Sequence, residues 1–409
     1  MVVSVRQGRD AVNSIETEKK GPTLPEPRAG LPEPDASARV HSERLTAAIR
    51  HEIDAAGGWI SFARYMKLAL YAPGLGYYAA GAAKFGTVGD FVTAPEISPL
   101  FARTLARQAA QIVTATGGSI LELGAGSGRL AADLLRALRA LDALPERYAI
   151  LEVSADLKAR QREHLAATVP EFLPRIAWLT ALPTHWRGLV LANEVLDALP
   201  VHLVVNHEGI WRERGVTWVD GFRWEDAALA SSDLVAVTAH LPGDSGYCTE
   251  ISLAAPRLVA SLADLLEAGT LLLIDYGFGR REYYHPQRVT GTLMCHYRHH
   301  AHDDPFFLPG LQDITAHVEF TAVAEAAIDH GLALQGYTSQ ARFLLNCGIT
   351  ELLQAVPPEN AAAYLPLAAG MQKLLAPSEM GELFKVMALG RGLDAPLIGF
   401  AAGDLSRLL

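Results

Sequence analysis

Apolar runs alternate with amphipathic stretches through most of the chain, and this pattern predicts alternating strands and helices. Ile120–Leu123 forms one such run, and leucines recur at helical spacing from Leu130 onward. Comparable runs that predict buried strands occur at residues 148–153, 189–192 and 270–278. We therefore expect an α/β fold, a Rossmann-like sheet of about seven strands with helices on both faces.

Glycines at alternate positions follow the first of these strands. Gly124, Gly126 and Gly128 come directly after Ile120–Leu123, and an acid, Glu122, lies inside the strand. Glycine lets a backbone approach a ligand closely, and the exposed amides of a helix start attract polar groups. A dinucleotide fingerprint would need its third glycine at position 129, which is Arg129. The spacing therefore argues against a dinucleotide cofactor.

Polar side chains lie at the ends of the following predicted strands. Glu152 ends the second strand, where nucleotide-binding folds place the acid that holds ribose hydroxyls. Asn193 and Glu194 follow the next apolar run, Asp197 comes one helical turn later, and Asp275 ends a further strand. Carboxyl ends of parallel strands share one edge of a sheet, so these groups are expected at a ligand cleft. Helix capping is the alternative role for Asn193 and Glu194.

Composition shifts divide the chain into segments. The predicted organisation is a disordered, proline-rich tail (1–40), an N-terminal helical and lid region (41–116), the main domain (117–390) and a C-terminal tail (391–409). Insertions are expected at 201–250, as an antiparallel β-meander, and at 281–314. Asp90 and Glu96 lie in the predicted lid among glycine, aromatic and proline residues. Alternatively, these acids cap the next helix or are exposed to solvent.

Charge and cysteine content limit the partners. The net charge of −10 and the lack of a basic stripe argue against a nucleic-acid partner. Three widely spaced cysteines do not form a disulfide framework, and no apolar run reaches membrane-spanning length, so membrane insertion is not expected. Asp10, Glu16 and Glu18 argue against a mitochondrial presequence, which favours a cytoplasmic location. The His-rich segment Cys295–Asp304 lacks paired metal-ligand spacing, so we expect a polar loop over the cleft and no metal.

Six segments together resemble the MidA-like family of class I S-adenosylmethionine-dependent methyltransferases. They are Tyr65–Tyr78, Gly89–Ser98, Leu121–Gly128, Ala192–Pro200, Ile274–Phe278 and Gln312–Thr315. The resemblance implies the cofactor S-adenosylmethionine, with candidate binding residues Glu122, Gly124, Ala125, Gly126, Gly128, Glu152 and Asn193. Mitochondrial members dimethylate an arginine of a respiratory complex I subunit. The resemblance therefore implies a protein acceptor, such as a respiratory-complex subunit, and a homodimer is a further expectation.

An arginine acceptor would need carboxylates to localise its delocalised charge and to turn one nitrogen toward the methyl group. The candidates are Glu194, Asp197, Asp90 and Glu96, and Glu194 is preferred because it follows a strand directly. Three functions remain in competition at this point. They are a methyltransferase, whose acceptor is an arginine or a small molecule; an assembly protein that keeps the cofactor fold without turnover; and a nucleotide-dependent oxidoreductase.

Overall fold

The computed structural model describes residues 31–80 and 93–409. The α-helices are α1 (Ala36–Ala55), α2 (Phe62–Tyr71), α3 (Ala94–Ile97), α4 (Pro99–Thr116), α5 (Arg129–Ala140), α6 (Ala155–Thr168), α7 (Ser232–Thr238), α8 (Ala254–Leu265), α9 (Arg280–Tyr283), α10 (Phe320–Asp329), α11 (Gln340–Asn346), α12 (Ile349–Gln354) and α13 (Ala361–Leu375). Short 3₁₀ helices cover Pro170–Arg175, Ile398–Phe400 and Ser406–Leu408.

The β-strands form three sheets. The strands are β1 (Trp59–Ser61), β2 (Ser119–Leu123), β3 (Tyr148–Leu151), β4 (Ile176–Leu179), β5 (Trp186–Asn193), β6 (His202–His207), β7 (Ile210–Trp218), β8 (Phe222–Ala228), β9 (Cys248–Ile251), β10 (Leu266–Phe278), β11 (Met294–Tyr297), β12 (His300–His302), β13 (Asp313–Thr315), β14 (Val318–Glu319), β15 (Ala333–Ser339) and β16 (Phe384–Arg391).

The central sheet is mixed and has the order β15-β16-β10-β5-β2-β3-β4. Strands β4, β3, β2, β5 and β10 run parallel, whereas β16 is antiparallel to both of its neighbours. The chain leaves β2 toward β3 on one side and later returns to β5 on the other, which makes a switch point where α/β sheets bind ligands. The α/β class is confirmed. Within the described residues the sheet has eight strands, because the short β14 also pairs with the end of β10.

Helices cover both faces of this sheet. Ile120 packs into a core that includes residues of α4, α5, α11 and α13, whereas its neighbour Leu121 packs into a core with α8 and α10. Successive residues of a strand point to opposite faces, so one strand contributes to both cores. Continuous apolar sequence in β2, β5 and β10 is the direct consequence of burial on two sides.

The predicted meander forms part of a second, five-stranded sheet. Strands β6, β7 and β8 are joined by the turns Glu208–Gly209 and Asp220–Gly221, in which all four residues have positive φ. Strand β7 is continuous from Ile210 to Trp218. Strand β1 pairs with β7, and a third core joins α1 and α2 to this sheet. The N-terminal region is thereby held beside the main domain.

Three local predictions need correction. The segment predicted as a polar loop, Cys295–Asp304, contains the hairpin β11–β12, because its residues pair with each other and with β13. Helix α1 begins at Ala36, capped by Asp35, inside the segment predicted as a tail. At the other end, the Leu405 amide donates to the Tyr337 carbonyl at 2.6 Å, so part of residues 391–409 is held against the sheet. The other predicted segments of the chain stay predictions.

Within residues 31–80 and 93–409, none of the helices combines the length and the apolar character needed to cross a membrane.

Two glycines allow β2, β5 and β10 to approach one another at the amino-terminal edge of the sheet. Gly188 has φ +120° and Gly269 has φ +135°. A Cβ atom on Gly269 would lie 1.8 Å from the Gly188 carbonyl oxygen, and one on Gly188 would lie 2.2 Å from the Ser119 carbonyl oxygen. Glycine is required here by backbone conformation and by the close approach.

We predict that Gly269→Ala destabilises the protein more than the control Gly209→Ala. Gly209 also has positive φ (+90°), but a Cβ atom added there would have nothing within 4 Å. The control should therefore cost only backbone strain, about 1–2 kcal/mol, whereas Gly269→Ala adds overpacking worth roughly 2 kcal/mol or more. Urea unfolding of both variants measures the difference. Equal losses would contradict the close-approach argument.

Candidate active site

A cavity of about 1070 Å³ opens at the carboxyl edge of the central sheet. Its lining comes from the glycine loop after β2, from the ends of β3 and β5, and from two more distant parts of the chain. The distant contributors are Tyr71 and Tyr78 from the N-terminal region and Asp313 from β13. The Tyr78 hydroxyl donates to the Asp313 carboxylate at 2.9 Å, which ties these two walls together.

The glycine loop depends on left-handed backbone conformations. Gly124, Gly126 and Gly128 have φ values of +61°, +54° and +84°. Gly124, Ala125 and Gly126 line the cavity, whereas Gly128 is the N-cap of α5 and lies beside Gln161 outside the lining. A loop of this conformation presents backbone rather than β-carbons to a ligand.

Glu96, predicted to be a catalytic acid in the lid, binds the glycine loop. Its Oε1 accepts from the Ser127 hydroxyl at 2.6 Å, and its Oε2 pairs with the Arg129 guanidinium at 3.1 Å. Arg129 is the residue that replaces the glycine of a dinucleotide fingerprint. The ion pair therefore joins α3 to the loop.

Glu122 is a buried acid at the base of the loop. The Tyr148 hydroxyl donates to its Oε2 at 2.8 Å. Burial raises the pKa of Glu122 to about 7, although the Tyr148 hydrogen bond opposes that shift. Sequence analysis assigned no role to Tyr148, whose only signal was a polar hydroxyl at the start of an apolar strand.

Glu152 is held by hydrogen bonds to both of its carboxylate oxygens. Oε1 accepts from the Ser154 amide at 2.8 Å, and Oε2 accepts from the Gln161 side-chain amide at 3.0 Å. Burial raises its pKa, and these hydrogen bonds oppose the rise. Glu152 lies at the end of β3 and lines the cavity, at the position expected from the sequence.

Asp275 has a structural contact with the backbone rather than with the cavity. Its Oδ2 accepts from three consecutive amides, those of Val195 (3.2 Å), Leu196 (2.9 Å) and Asp197 (3.2 Å). It does not line the cavity. The sequence placed Asp275 among the available acids of the cleft, and that placement is wrong because its Oδ2 is committed to the turn after β5 and its Oδ1 to the Tyr276 amide.

Glu194 lies at the end of β5 in a left-handed conformation with φ +54°. Its Oε1 accepts from the Ala94 amide at 3.4 Å and from the Asn193 side-chain amide at 3.2 Å. Its Oε2 and the Asn193 Oδ1 are buried and have no hydrogen-bond partner among residues 31–80 and 93–409. Burial, followed by the charge of Asp197, raises the pKa of Glu194 to about 8.

Asp197 is the second acid of the cavity with an oxygen that has no hydrogen-bond partner among the described residues. Its Oδ2 accepts a hydrogen bond of 2.5 Å from the Tyr276 hydroxyl, whereas its buried Oδ1 lacks a partner within the described part of the chain. Burial raises its pKa, and the Tyr276 hydrogen bond opposes that change. Buried polar atoms are nearly always paired in folded proteins, so the unpaired oxygens of residues that line the cavity mark a candidate ligand site.

Most of the predicted site residues come together at this cavity. Those that line it are Glu96, Glu122, Gly124, Ala125, Gly126, Glu152, Asn193, Glu194 and Asp197. Asp90 lies outside the described residues. Sequence analysis gave no individual role to Tyr71, Tyr78 or Asp313, although each lies in a segment that carried the family resemblance.

Across the described ranges, no group of three or more histidine, cysteine, aspartate or glutamate side chains is arranged to hold a metal ion.

The chain resembles known proteins over most of its length. Residues 104–338 match a family described as S-adenosyl-L-methionine-dependent methyltransferases. The chain is 30% identical to the Drosophila melanogaster protein named protein arginine methyltransferase NDUFAF7 homolog, mitochondrial, across 90% of this chain and 92% of that protein. It is 31% identical to the Danio rerio protein arginine methyltransferase NDUFAF7, mitochondrial, across 82% of this chain and 84% of that protein.

The prediction of a cytoplasmic location is wrong, because these relatives are named mitochondrial proteins. The inference had depended on acids near the N-terminus, such as Asp10 and Glu16. Location is specified by signals that receptors recognise, and the composition of a few residues is a weak guide to them.

Solved structures agree with the sequence relatives. A protein from Burkholderia thailandensis with S-adenosyl-homocysteine bound superimposes with a TM-score of 0.90 at 52% identity, covering 93% of this chain and 100% of that chain. A native structure from the same organism gives a TM-score of 0.88 with the same identity and coverage. The family match over more than half of the chain and the 30% identity over nearly all of it establish the relationship. The chain belongs to the MidA-like family and is an S-adenosylmethionine-dependent methyltransferase.

Proposed function

We propose that this enzyme methylates an arginine side chain of a protein. The observation that carries the proposal is the pair of carboxylates in the cavity lining, Glu194 and Asp197, each of which keeps one buried oxygen without a hydrogen-bond partner among residues 31–80 and 93–409. A guanidinium is a planar cation with five N–H donors and no acceptor, so it complements such oxygens. The relatives named above as protein arginine methyltransferases support the same acceptor.

The residues at the other end of the cavity fit S-adenosylmethionine. The glycine loop offers backbone at Gly124 and Gly126, where positive φ and missing side chains leave room for a ligand. Glu152 would hold ribose hydroxyls, while Glu122 supports the loop and Asn193 lies in the cavity lining beside Glu194. When bound, the cofactor supplies an electrophilic methyl group on its sulfonium.

The acids of the acceptor site would orient one guanidinium nitrogen and accept its proton. Glu194 and Asp197 bind the N–H groups, which localises the delocalised charge and exposes a nitrogen lone pair. Methyl transfer would form the new carbon–nitrogen bond, break the methyl–sulfur bond of the cofactor to leave S-adenosylhomocysteine, and release one proton from the nitrogen. A bound guanidinium would lower the raised pKa of Glu194, so the carboxylate would be charged beside the cation and could accept that proton.

Aromatic and polar side chains complete the acceptor wall. Tyr71 and Tyr78 stack with ring centroids 5.6 Å apart, and both line the cavity. Aromatic faces attract guanidinium groups, so these rings suit the acceptor side. We assign Glu96 to holding the glycine loop, because both of its oxygens are engaged there. The proposal also includes an acceptor in a respiratory-complex subunit, a lid that carries Asp90, and a homodimer.

Glu194→Gln should reduce methyl transfer by about 10²–10³-fold while cofactor affinity changes less than roughly threefold. Glutamine keeps the shape but can neither stabilise the cation nor hold the proton. Single-turnover transfer from labelled S-adenosylmethionine to arginine-containing peptides measures the rate, and calorimetry with S-adenosylhomocysteine measures affinity.

The matched control is Glu359→Gln, which changes an exposed acid in the turn before α13 and should leave both quantities unchanged. Wild-type transfer by Glu194→Gln would contradict the acceptor role. Weak cofactor binding with normal transfer at saturation would move Glu194 to the cofactor site.

The stability difference between wild type and Glu194→Gln should depend on pH. The pKa of Glu194 lies near 8 in the folded protein, compared with an ordinary value of 4.5. Between these pH values the folded state keeps a proton that the unfolded state loses, so wild-type stability falls as pH rises, by an amount on the order of a few kcal/mol in total. Glutamine does not titrate, so the variant does not show this loss of stability as pH rises.

Urea unfolding of the two proteins from pH 4.5 to 8.5 tests this prediction, because the contributions of acids that do not interact with Glu194 cancel in the difference. The Glu359→Gln control should run parallel to wild type. A constant difference between wild type and Glu194→Gln across the range would show that the Glu194 carboxyl titrates normally.

A further inference from the structure

Gln161 is a fully buried polar residue of α6 that sequence analysis did not single out. Its side chain is 0% exposed, although α6 is otherwise a largely polar surface helix. A buried side-chain amide is costly unless its hydrogen-bonding groups are paired. In this protein each partner of Gln161 belongs to a different strand or loop at the cofactor end of the cavity.

The amide of Gln161 connects three elements. Its Nε2 donates to the Gly126 carbonyl at 3.1 Å and to Glu152 Oε2 at 3.0 Å. Its Oε1 accepts from the Trp178 indole N–H of β4 at 3.1 Å. The glycine loop, the end of β3 and β4 therefore meet at one side chain.

The orientation of this amide is determined by its neighbours. An indole N–H can only donate, and a backbone carbonyl can only accept. The amide oxygen must therefore face Trp178, which leaves the NH₂ group for Gly126 and Glu152. If the amide were flipped, its oxygen would face the Gly126 carbonyl oxygen and the Glu152 carboxylate oxygen, and neither contact could be a hydrogen bond.

We propose that Gln161 is a positioning residue for the cofactor, holding the glycine loop and the Glu152 carboxylate in their binding arrangement. The inference rests on the proposed assignment of Glu152 and the loop to S-adenosylmethionine. Gln161 does not line the cavity, so it acts through these two groups. Preorganisation of this kind increases affinity because binding does not have to order the site.

The test is calorimetric binding of S-adenosylhomocysteine to Gln161→Glu at pH 8 and pH 6. At pH 8 the introduced carboxylate has no donor for the Gly126 carbonyl and repels Glu152, so affinity should fall about 10–100-fold. At pH 6 a proton shared with Glu152 restores one donor, and the loss relative to wild type at the same pH should shrink. A purely structural role would lower the melting temperature without this dependence on pH.

Two further variants keep the test decisive. Trp178→Phe removes the donor that orients the amide and should weaken binding by about 3–10-fold even if Gln161→Glu folds poorly. Gln354→Glu, at an exposed position of α12, controls for the added charge and should bind like wild type. Wild-type affinity in both Gln161→Glu and Trp178→Phe would overturn the proposal.

Glu152→Ala separates this inference from the function beneath it. If Glu152→Ala binds S-adenosylhomocysteine as wild type does, the assignment of the cofactor site fails and the role of Gln161 fails with it. If Glu152→Ala weakens binding while Gln161→Glu and Trp178→Phe do not, only the positioning role of Gln161 is lost.

Discussion

The Asp275 carboxylate determines how the active site is arranged. It is buried, and burial of a charge is costly. Its oxygens accept hydrogen bonds from three backbone amides of the turn after β5 and, at 2.9 Å, from the Tyr276 amide. These bonds hold the turn in a form in which Glu194 has φ +54° and Asp197 lies against the Tyr276 hydroxyl. The placement of both proposed acceptor acids therefore depends on an acid that does not line the cavity.

Four acids of the cavity differ in whether the protein provides hydrogen-bond donors for both of their carboxylate oxygens. Glu96 and Glu152 each have both carboxylate oxygens hydrogen-bonded, to loop residues and to a helix start. Glu194 and Asp197 each keep one buried oxygen without a partner in the described chain. The first pair suits a rigid site for the cofactor. The second suits a cationic acceptor, which would supply the missing donors and stabilise the charged carboxylates.

The central sheet alone does not complete the cavity. Tyr71 and Tyr78 come from a region that packs on the inserted sheet, and Asp313 comes from β13 beside the His-rich hairpin. The Tyr71 hydroxyl also donates to the Ala198 carbonyl at 2.9 Å, which joins the N-terminal region to the turn after β5. The same turn is thus held from the sheet by Asp275 and from the opposite wall by Tyr71.

Features that depend on neighbouring residues could be predicted from the amino-acid sequence. Apolar runs identified β2, β5 and β10, and the glycine spacing together with Arg129 argued against a dinucleotide, because strands and turns follow local pattern. The acid oxygens that remain unpaired could be identified only in the folded chain, since they depend on contacts such as Asp275 with residues 195–197. The hairpin β11–β12 likewise emerged only from the fold, because the other edge of β11 pairs with β13, which lies beyond the segment Cys295–Asp304. Local pattern carries no information on such long-range partners.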